Sequence, residues 1–382
     1  MSAPQVEADT PVIRKLEKDV VNRIAAGEVI HRPSSALKEL IENSLDAKST
    51  RISVALKDGG LKLLQVQDNG CGIRLSDFKI LCERFTTSKI TSYEDLTKIA
   101  TFGFRGEALA SITHVAHVTI TSMTANSSCA YRASYSDGKL VPGKPGESAD
   151  PKPTAGVAGT IITAEDLFFN VPVRQQALRS PTDEYNRCLE VITKYALHNS
   201  GVSFTCKKAG NSKTDINTQT TASKKDNVRS LYGQQTFREL LEVKKEATDI
   251  DVTVEGLITN ANYSMKKFVL ILFINNRLVQ STSIKKAVDD LYARYLPKHT
   301  HPFVYLSLRM APHNVDVNVH PTKREVHFLH EEKVVEAITT ALEDTLGKAN
   351  ASRTFYTQSI LPGASAPNAA GSGSGSGSAS SA

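Results

Sequence analysis

Glu39, Asn43 and Asp46 lie four and then three residues apart in Lys38-Glu39-Leu40-Ile41-Glu42-Asn43-Ser44-Leu45-Asp46-Ala47. In a helix this spacing puts them on one face. A carboxylate on that face can take a proton from water, and an amide oxygen one turn away is a hard ligand that suits Mg²⁺. Taken alone, such a face is more often simply solvated. Three later stretches shift the balance: Asp68-Asn69-Gly70-Cys71-Gly72, Thr86-Thr87-Ser88-Lys89, and Gly103-Phe104-Arg105-Gly106-Glu107-Ala108-Leu109.

Each stretch offers a distinct chemistry. Gly70 and Gly72 let the backbone come close to a flat ligand. Asp68 beside them can accept from the exocyclic amino group of adenine, whereas guanine presents an oxygen there and two acceptors repel. Gly103 and Gly106 free the backbone ahead of a helix expected to begin at Glu107. Amides at a helix start bind phosphate, and Lys89 adds a point charge. A near match to a P-loop over residues 138–145 fails, because Pro145 follows the lysine and supplies neither hydroxyl nor N–H.

The elements that must position these groups are legible in outline. Leu37, Leu40, Ile41 and Leu45 form one apolar stripe, so residues 33–47 read as the main helix, opened by Pro33-Ser34-Ser35. Residues 12–30 read as a short strand, a helical turn and a glycine stop. Residues 52–56 and 61–66 alternate around Asp58-Gly59-Gly60 as a hairpin. Residues 77–85 look helical, 115–123, 130–135 and 160–164 look like strands, and 183–198 is an amphipathic helix followed by a strand at 202–207. Residues 211–225 have no apolar period and are a candidate boundary. Beyond it, 228–241 reads as helix, 252–258, 268–275 and 303–309 as strands, and 283–295 and 331–346 as helices. The expected division is a flexible arm at 1–11, one domain at 12–220, a second at 221–347 and a Gly/Ser-rich tail at 348–382.

The chain has 382 residues, 40% hydrophobic and 23% charged, with a net charge of +6. This suits two soluble domains and permits a polyanionic partner. No apolar run is long enough to cross a membrane, and no membrane partner is expected. Cys71, Cys82, Cys129, Cys188 and Cys206 are odd in number and lack metal-site spacing, which points to a reducing compartment. His313, His320, His327 and His330 alternate faces, so they read as scattered structural histidines.

Together the motifs resemble the MutL proteins of DNA mismatch repair, within the wider class of ATPases that includes Hsp90, gyrase B and histidine kinases. The resemblance is carried by Glu42-Asn43-Ser44-Leu45-Asp46-Ala47, Thr87-Ser88-Lys89-Ile90, residues 103–112 and Asn318-Val319-His320-Pro321-Thr322-Lys323, and it spans about residues 12–346. Residues 129–140, 273–279 and 295–332 are most similar to the eukaryotic branch. The resemblance implies a Bergerat-type (GHKL) α/β sandwich followed by a ribosomal-protein-S5-domain-2-like domain.

It also implies roles. Glu39 is matched to the general base, Asn43 to the Mg²⁺ ligand, and Asp68, with Gly70 and Gly72, to the adenine reader, supported through water by Thr160. Thr87, Ser88, Lys89, Gly103, Phe104, Arg105, Gly106, Glu107, Ala108 and Leu109 are matched to a lid over the phosphates. Lys323 is matched to a second-domain lysine on the γ-phosphate, and Arg277 to a DNA-contacting arginine. The pairs Lys266-Lys267 and Lys285-Lys286 add weaker support for DNA. ATP and Mg²⁺ are the implied cofactors. The implied partners are DNA, a second MutL-type subunit reached through a C-terminal region outside this chain, and MutS-type mismatch-recognition proteins, in the nucleus.

One departure is Val173-Arg174-Gln175-Gln176, where the family has a more basic run; another is the lack of any nuclease metal motif. Two other readings compete. One is a passive DNA-binding module with a structural nucleotide site, which needs no general base. The other is an Hsp90-like chaperone, which needs no basic pairs.

Overall fold

Ile52, Val54 and Leu56 turn to one buried face of β1 (Arg51–Lys57), and Leu64, Val66 and Asp68 to that of β2 (Leu63–Asp68). Period-two alternation allows a strand to bury one face in this way. Asp68 is thus the polar end of an apolar row. The computed structural model describes residues 13–90, 101–103, 105–178, 180–316 and 327–357.

The hairpin joins a nine-stranded sheet with β3 (His117–Met123), β4 (Ala130–Ser136), β5 (Lys139–Val141), β6 (Lys152–Thr154), β7 (Gly159–Glu165), β8 (Ser203–Lys208) and β9 (Thr214–Asn217). The order is β5-β4-β3-β7-β2-β1-β8-β9, with β6 also paired to β4. The helices are α1 (Lys18–Val29), α2 (Pro33–Asp46), α3 (Ala108–Thr113), α4 (Pro172–Ala177) and α5 (Pro181–His198). α2 packs on β2 and α5, with Leu37, Leu40 and Ile41 fully buried. Burying each such side chain contributes about 1.5–3 kcal/mol.

Several boundaries differ from expectation. Of the stretch 12–30, the described residues 13–30 hold one helix and no strand, and Gly27 lies inside it; a Cβ there would meet the Arg174 guanidinium at 3.4 Å. Residues 77–85 are helical only as a 3₁₀ turn at Leu75–Lys79. The polar stretch 211–225 contributes β9, whose Ile216 enters the first core. Pairing with β8, which local polarity does not reveal, makes it a strand. Residues 228–241 break into α6 (Lys224–Tyr232), α7 (Gln234–Arg238) and the start of β10 (Leu240–Ala247).

The second unit is a five-stranded sheet ordered β10-β11-β14-β12-β13, with β11 (Val252–Thr259), β12 (Val269–Ile274), β13 (Arg277–Val279) and β14 (Phe303–Met310). α8 (Thr282–Tyr292) and α9 (Glu331–Thr357) cover one face, and a small ladder joins β15 (Val315–Asp316) to β16 (His327–Phe328). α9 runs past residue 347, where the tail was expected to begin, with Gly347 facing open space. Among the described residues no helix is long and apolar enough to cross a membrane. The arm at 1–11 and most of the tail lie outside the described residues.

The two units share an interface made by alternation. Ile271, Phe273, Phe303 and Tyr305 belong to the first core; Leu272, Ile274, Val304, Leu306 and Leu308 belong to the second. Burial of both faces explains why β12 is apolar at every position, whereas β14 admits polar residues only toward its end, at Ser307 and Arg309.

His198, at the end of α5, stacks on Phe273 with ring centroids 3.8 Å apart. Its Nε2 donates to Asn276 Oδ1 at 3.0 Å and its Nδ1 accepts from the Tyr305 hydroxyl at 2.9 Å, so one neutral tautomer satisfies both bonds. Burial pulls the imidazole down to about 4, the Asn276 bond opposes this, and Lys224 adds to it. An unfolded histidine titrates near 6.5, so between these values the unfolded chain binds more protons. The stability this gives is complete above the unfolded pKa and is lost as pH falls toward the folded one. We expect urea unfolding to show roughly 3 kcal/mol of acid loss over that window, and His198→Gln to lack it. Identical pH slopes for the two proteins would refute the assignment.

Candidate functional site

α2 carries three of the expected residues, and the structure gathers partners around each. Glu39 is 7% exposed, and Lys38 Nζ lies 3.4 Å from its Oε1. Lys38 also pairs with Glu42 at 2.8 Å, and Glu42 accepts from the Tyr195 hydroxyl of α5 at 2.5 Å. Burial would lower the Lys38 ammonium, but Glu42 and Glu39 outweigh it and hold it above the ordinary lysine range. Burial, aided by Glu42, raises the Tyr195 phenol. Lys38, Glu42 and Tyr195 carry no signal in the local pattern, because charged residues on a helix usually face water.

Asn43 Oδ1 accepts from Lys89 Nζ at 2.9 Å, and Asp46 Oδ2 accepts from the same ammonium at 2.6 Å. The expected place of Lys89 is on phosphates; in this structure its ammonium lies instead on two α2 oxygens, the Asp46 carboxylate and the neutral Asn43 amide. The same observation tests the fit of Mg²⁺. Two side-chain oxygens that already hold one cation form a suitable donor set for a hard ion completed by phosphate oxygens and water. Among the described residues no group of three or more His, Cys, Asp or Glu side chains is placed to hold a metal.

Asp68 sits across from α2 with both oxygens engaged. Oδ2 accepts from the Ser44 hydroxyl at 2.8 Å, and Oδ1 from the Gly70 N–H at 2.8 Å. Ser44 was missed, although it stands on the apolar stripe, where a polar residue signals a buried partner. Thr160 pairs with Asp68 in register across β2 and β7, and its hydroxyl meets Ser122 Oγ at 2.9 Å. Gly72 has φ 73°, and a Cβ there would lie 2.2 Å from the Met123 carbonyl oxygen, so only glycine fits.

The two stretches expected to form a lid touch one another. Gly106 has φ 61°, and a Cβ there would lie 2.2 Å from the Thr86 carbonyl oxygen. Thr87 Oγ1 accepts from the Lys89 N–H at 3.1 Å, whereas Ser88 is exposed. Glu107, just before α3, pairs with Arg84 at 3.1 Å, a contact not foreseen. Arg105, Ala108 and Leu109 are half-buried. Gly103 is in the site itself: a Cβ would lie 2.9 Å from Lys89 Nζ and 3.3 Å from Asn43 Oδ1. Phe104 and Lys323 lie outside the described residues.

Arg277 does not fit the expected DNA-facing surface. It is 7% exposed, and its guanidinium donates to the carbonyls of Thr101 and Phe102 at 2.7 and 2.9 Å. Burial lowers it from the usual arginine value while Glu42 and Asp46 oppose. The tight turn before β13 aims it inward. Lys266, Lys267, Lys285 and Lys286 are exposed and away from these contacts.

The fold and these contacts can be set beside known proteins. Residues 31–151 match the family profile described as histidine kinase-, DNA gyrase B- and HSP90-like ATPase. Residues 228–347 match that of the DNA mismatch repair protein, C-terminal domain. A DNA mismatch repair protein Mlh1 of Dictyostelium discoideum is 49% identical over 92% of this chain and 43% of its own length. The chain spans about half the length of the curated relatives it matches. A crystal structure of the N terminal domain of a DNA repair protein is similar with TM-score 0.75 and 27% identity, over 86% of this chain and 98% of the other. The Aquifex aeolicus MutL ATPase domain complexed with ADP is similar with TM-score 0.52 and 25% identity, over 73% and 92%. A chain that joins these two domains in this order, and keeps this identity to Mlh1 over nearly its whole length, belongs to the MutL family of DNA mismatch repair proteins.

Proposed function

We propose that the chain binds Mg-ATP against α2 and hydrolyses it, as the ATP-driven part of a mismatch-repair factor. The observation that carries this reading is the placement of Glu39 and Asn43 one turn apart on α2, with the Asp68 carboxylate held opposite through Ser44. Glu39 takes a proton from water as the water oxygen bonds to the γ-phosphorus. The bond from that phosphorus to the β–γ bridging oxygen breaks, leaving ADP and phosphate. Bound Mg²⁺ offsets the triphosphate charge. Asn43 would hold that ion through its amide oxygen, and Lys89, which bonds Asn43 and Asp46 in this structure, would supply positive charge to the phosphates. Lys323 keeps its expected role at the γ-phosphate.

Support comes from the ADP-bound MutL neighbour and from the matched ATPase profile. On this reading, lid closure promotes association with a second MutL-type subunit, and DNA and MutS-type proteins are the partners, in the nucleus. Measuring phosphate release from Mg-ATP, with and without single-stranded DNA, tests it; no turnover above background would end it.

DNA contact falls to the exposed lysine pairs rather than to Arg277. Binding should be sequence-tolerant, with a salt slope of about −0.7 per contact on single strands. Lys285→Glu combined with Lys286→Glu should weaken binding and flatten the slope. Affinity that is unchanged between low and moderate salt would exclude a phosphate-contacting surface.

A further inference from the structure

A two-residue turn aims Arg277. Asn275 and Asn276 have φ 47° and 65° between β12 and β13, the pair of positive angles that a tight hairpin turn needs and asparagine tolerates. Both turn side chains are held. Asn275 pairs its amide with the Met310 backbone, donating to the carbonyl at 2.9 Å and accepting from the N–H at 3.0 Å. Asn276 accepts from His198 at 3.0 Å. The turn is thus fixed to β14 and to the end of α5, so Arg277 starts from a rigid base.

Its guanidinium then closes a second set of bonds. Nη2 donates to the Thr101 carbonyl and Nη1 to the Phe102 carbonyl. The N–H groups of the same two peptide units, those of Phe102 and Gly103, donate to Asp46 Oδ1 and Oδ2 at 3.0 and 3.1 Å. Two consecutive peptide planes are gripped at both ends, their carbonyls by the second domain and their amides by the end of α2. Asp46 Oδ2 also holds Lys89, and Lys89 holds Asn43. An unbroken chain of hydrogen bonds therefore runs from the second sheet to the amide oxygen assigned to the metal.

We infer that Arg277 is a positioning residue of the nucleotide site: it ties the Thr101-Phe102-Gly103 part of the lid to the second domain, so that the seat of that domain sets how the lid meets the triphosphate. This rests on the ATP-site reading above. The rigid fork of arginine matches two neighbouring carbonyls, and lysine keeps the charge but not the fork. A cavity of about 510 Å³ is lined by Arg277 together with Asp46, Lys48, Asn276 and Arg309, at the seam between the two units.

Hydrogen exchange of the nucleotide-free chain, read with ATP kinetics and single-stranded DNA binding at low salt, tests the inference. Arg277→Lys and Arg277→Met should speed exchange of the Phe102 and Gly103 amides by about ten- to a hundredfold, the value of a charge-assisted hydrogen bond. The amides of Leu64 and Val66 in β2 should not change. Both variants should raise KM for ATP more than they lower kcat, and both should keep DNA affinity. If Arg277→Met does not fold, Arg277→Lys decides alone. Unchanged exchange and KM in Arg277→Lys overturns the clamp, as does loss of DNA affinity with exchange and KM intact. If the unaltered chain turns over no ATP, the ATPase reading falls, while the exchange result, which needs no nucleotide, still decides whether Arg277 holds the loop.

Discussion

Glu39→Ala should bind Mg-ATP as the unaltered chain does and lose turnover by about 10²–10⁴-fold, the usual share of a positioned general base. The fold should tolerate the change. Lys38, the buried cation beside Glu39, keeps its 2.8 Å pair with Glu42, so no charge is left alone. The base acts on water in the chemical step and contributes little to holding the ground-state nucleotide. Asn43→Ala should behave differently and lose both binding and turnover, because its oxygen serves the ion that offsets the triphosphate charge from the start. If ATP favours the closed, associated state, Glu39→Ala should accumulate there and Asn43→Ala should stay open. Nucleotide binding, phosphate release and molecular mass in solution with Mg-ATP separate the two. A Glu39→Ala chain that hydrolyses ATP at the unaltered rate would make Glu39 a buried structural carboxylate and the proposed mechanism wrong.

Asp68→Asn should weaken ATP binding by about ten- to a hundredfold, the cost of losing a hydrogen bond to a charged acceptor. The carboxylate has roughly four acceptor sites, and Ser44 and Gly70 occupy one on each oxygen, which leaves acceptors for an adenine amino group. An asparagine must keep its oxygen on the Gly70 N–H, because that donor cannot reverse. Its amide nitrogen then faces Ser44, whose hydroxyl can turn to accept. The fold survives, but the amino group of adenine now meets a donor. Preference for ATP over GTP should therefore narrow, since guanine presents an acceptor at that position. Competition binding with both nucleotides measures this. Equal ATP and GTP affinity in the unaltered chain would remove Asp68 as the reader of the base.

The local chemistry was legible because it depends on residue type and spacing alone. Four-residue spacing put Glu39 and Asn43 on one helix face, the glycines beside Asp68 marked a close backbone approach, and the glycines at 72 and 106 marked backbone that no side chain could share; that β2 runs on to a buried Asp68 came from the structure. Elements with strong periodicity, such as α2, α5 and β12, were legible for the same reason. Elements that exist because of a neighbour were not. β9 is polar and becomes a strand only beside β8, and α1 continues through Gly27, against which the Arg174 guanidinium lies.

Charged groups divide along the same line. The sequence by itself determined which residues could act as base, ligand or base-reading acceptor, since these are properties of the side chain and its nearest turn. Only the tertiary structure decided which charges meet water. Arg277 was matched to a DNA-contacting surface, yet it closes on carbonyls 175 and 176 residues away, and Glu42, which carries no signal in its local pattern, accepts from a tyrosine 153 residues away. The cost of burying an ion is removed only by the partner that folds against it, and no local pattern names that partner.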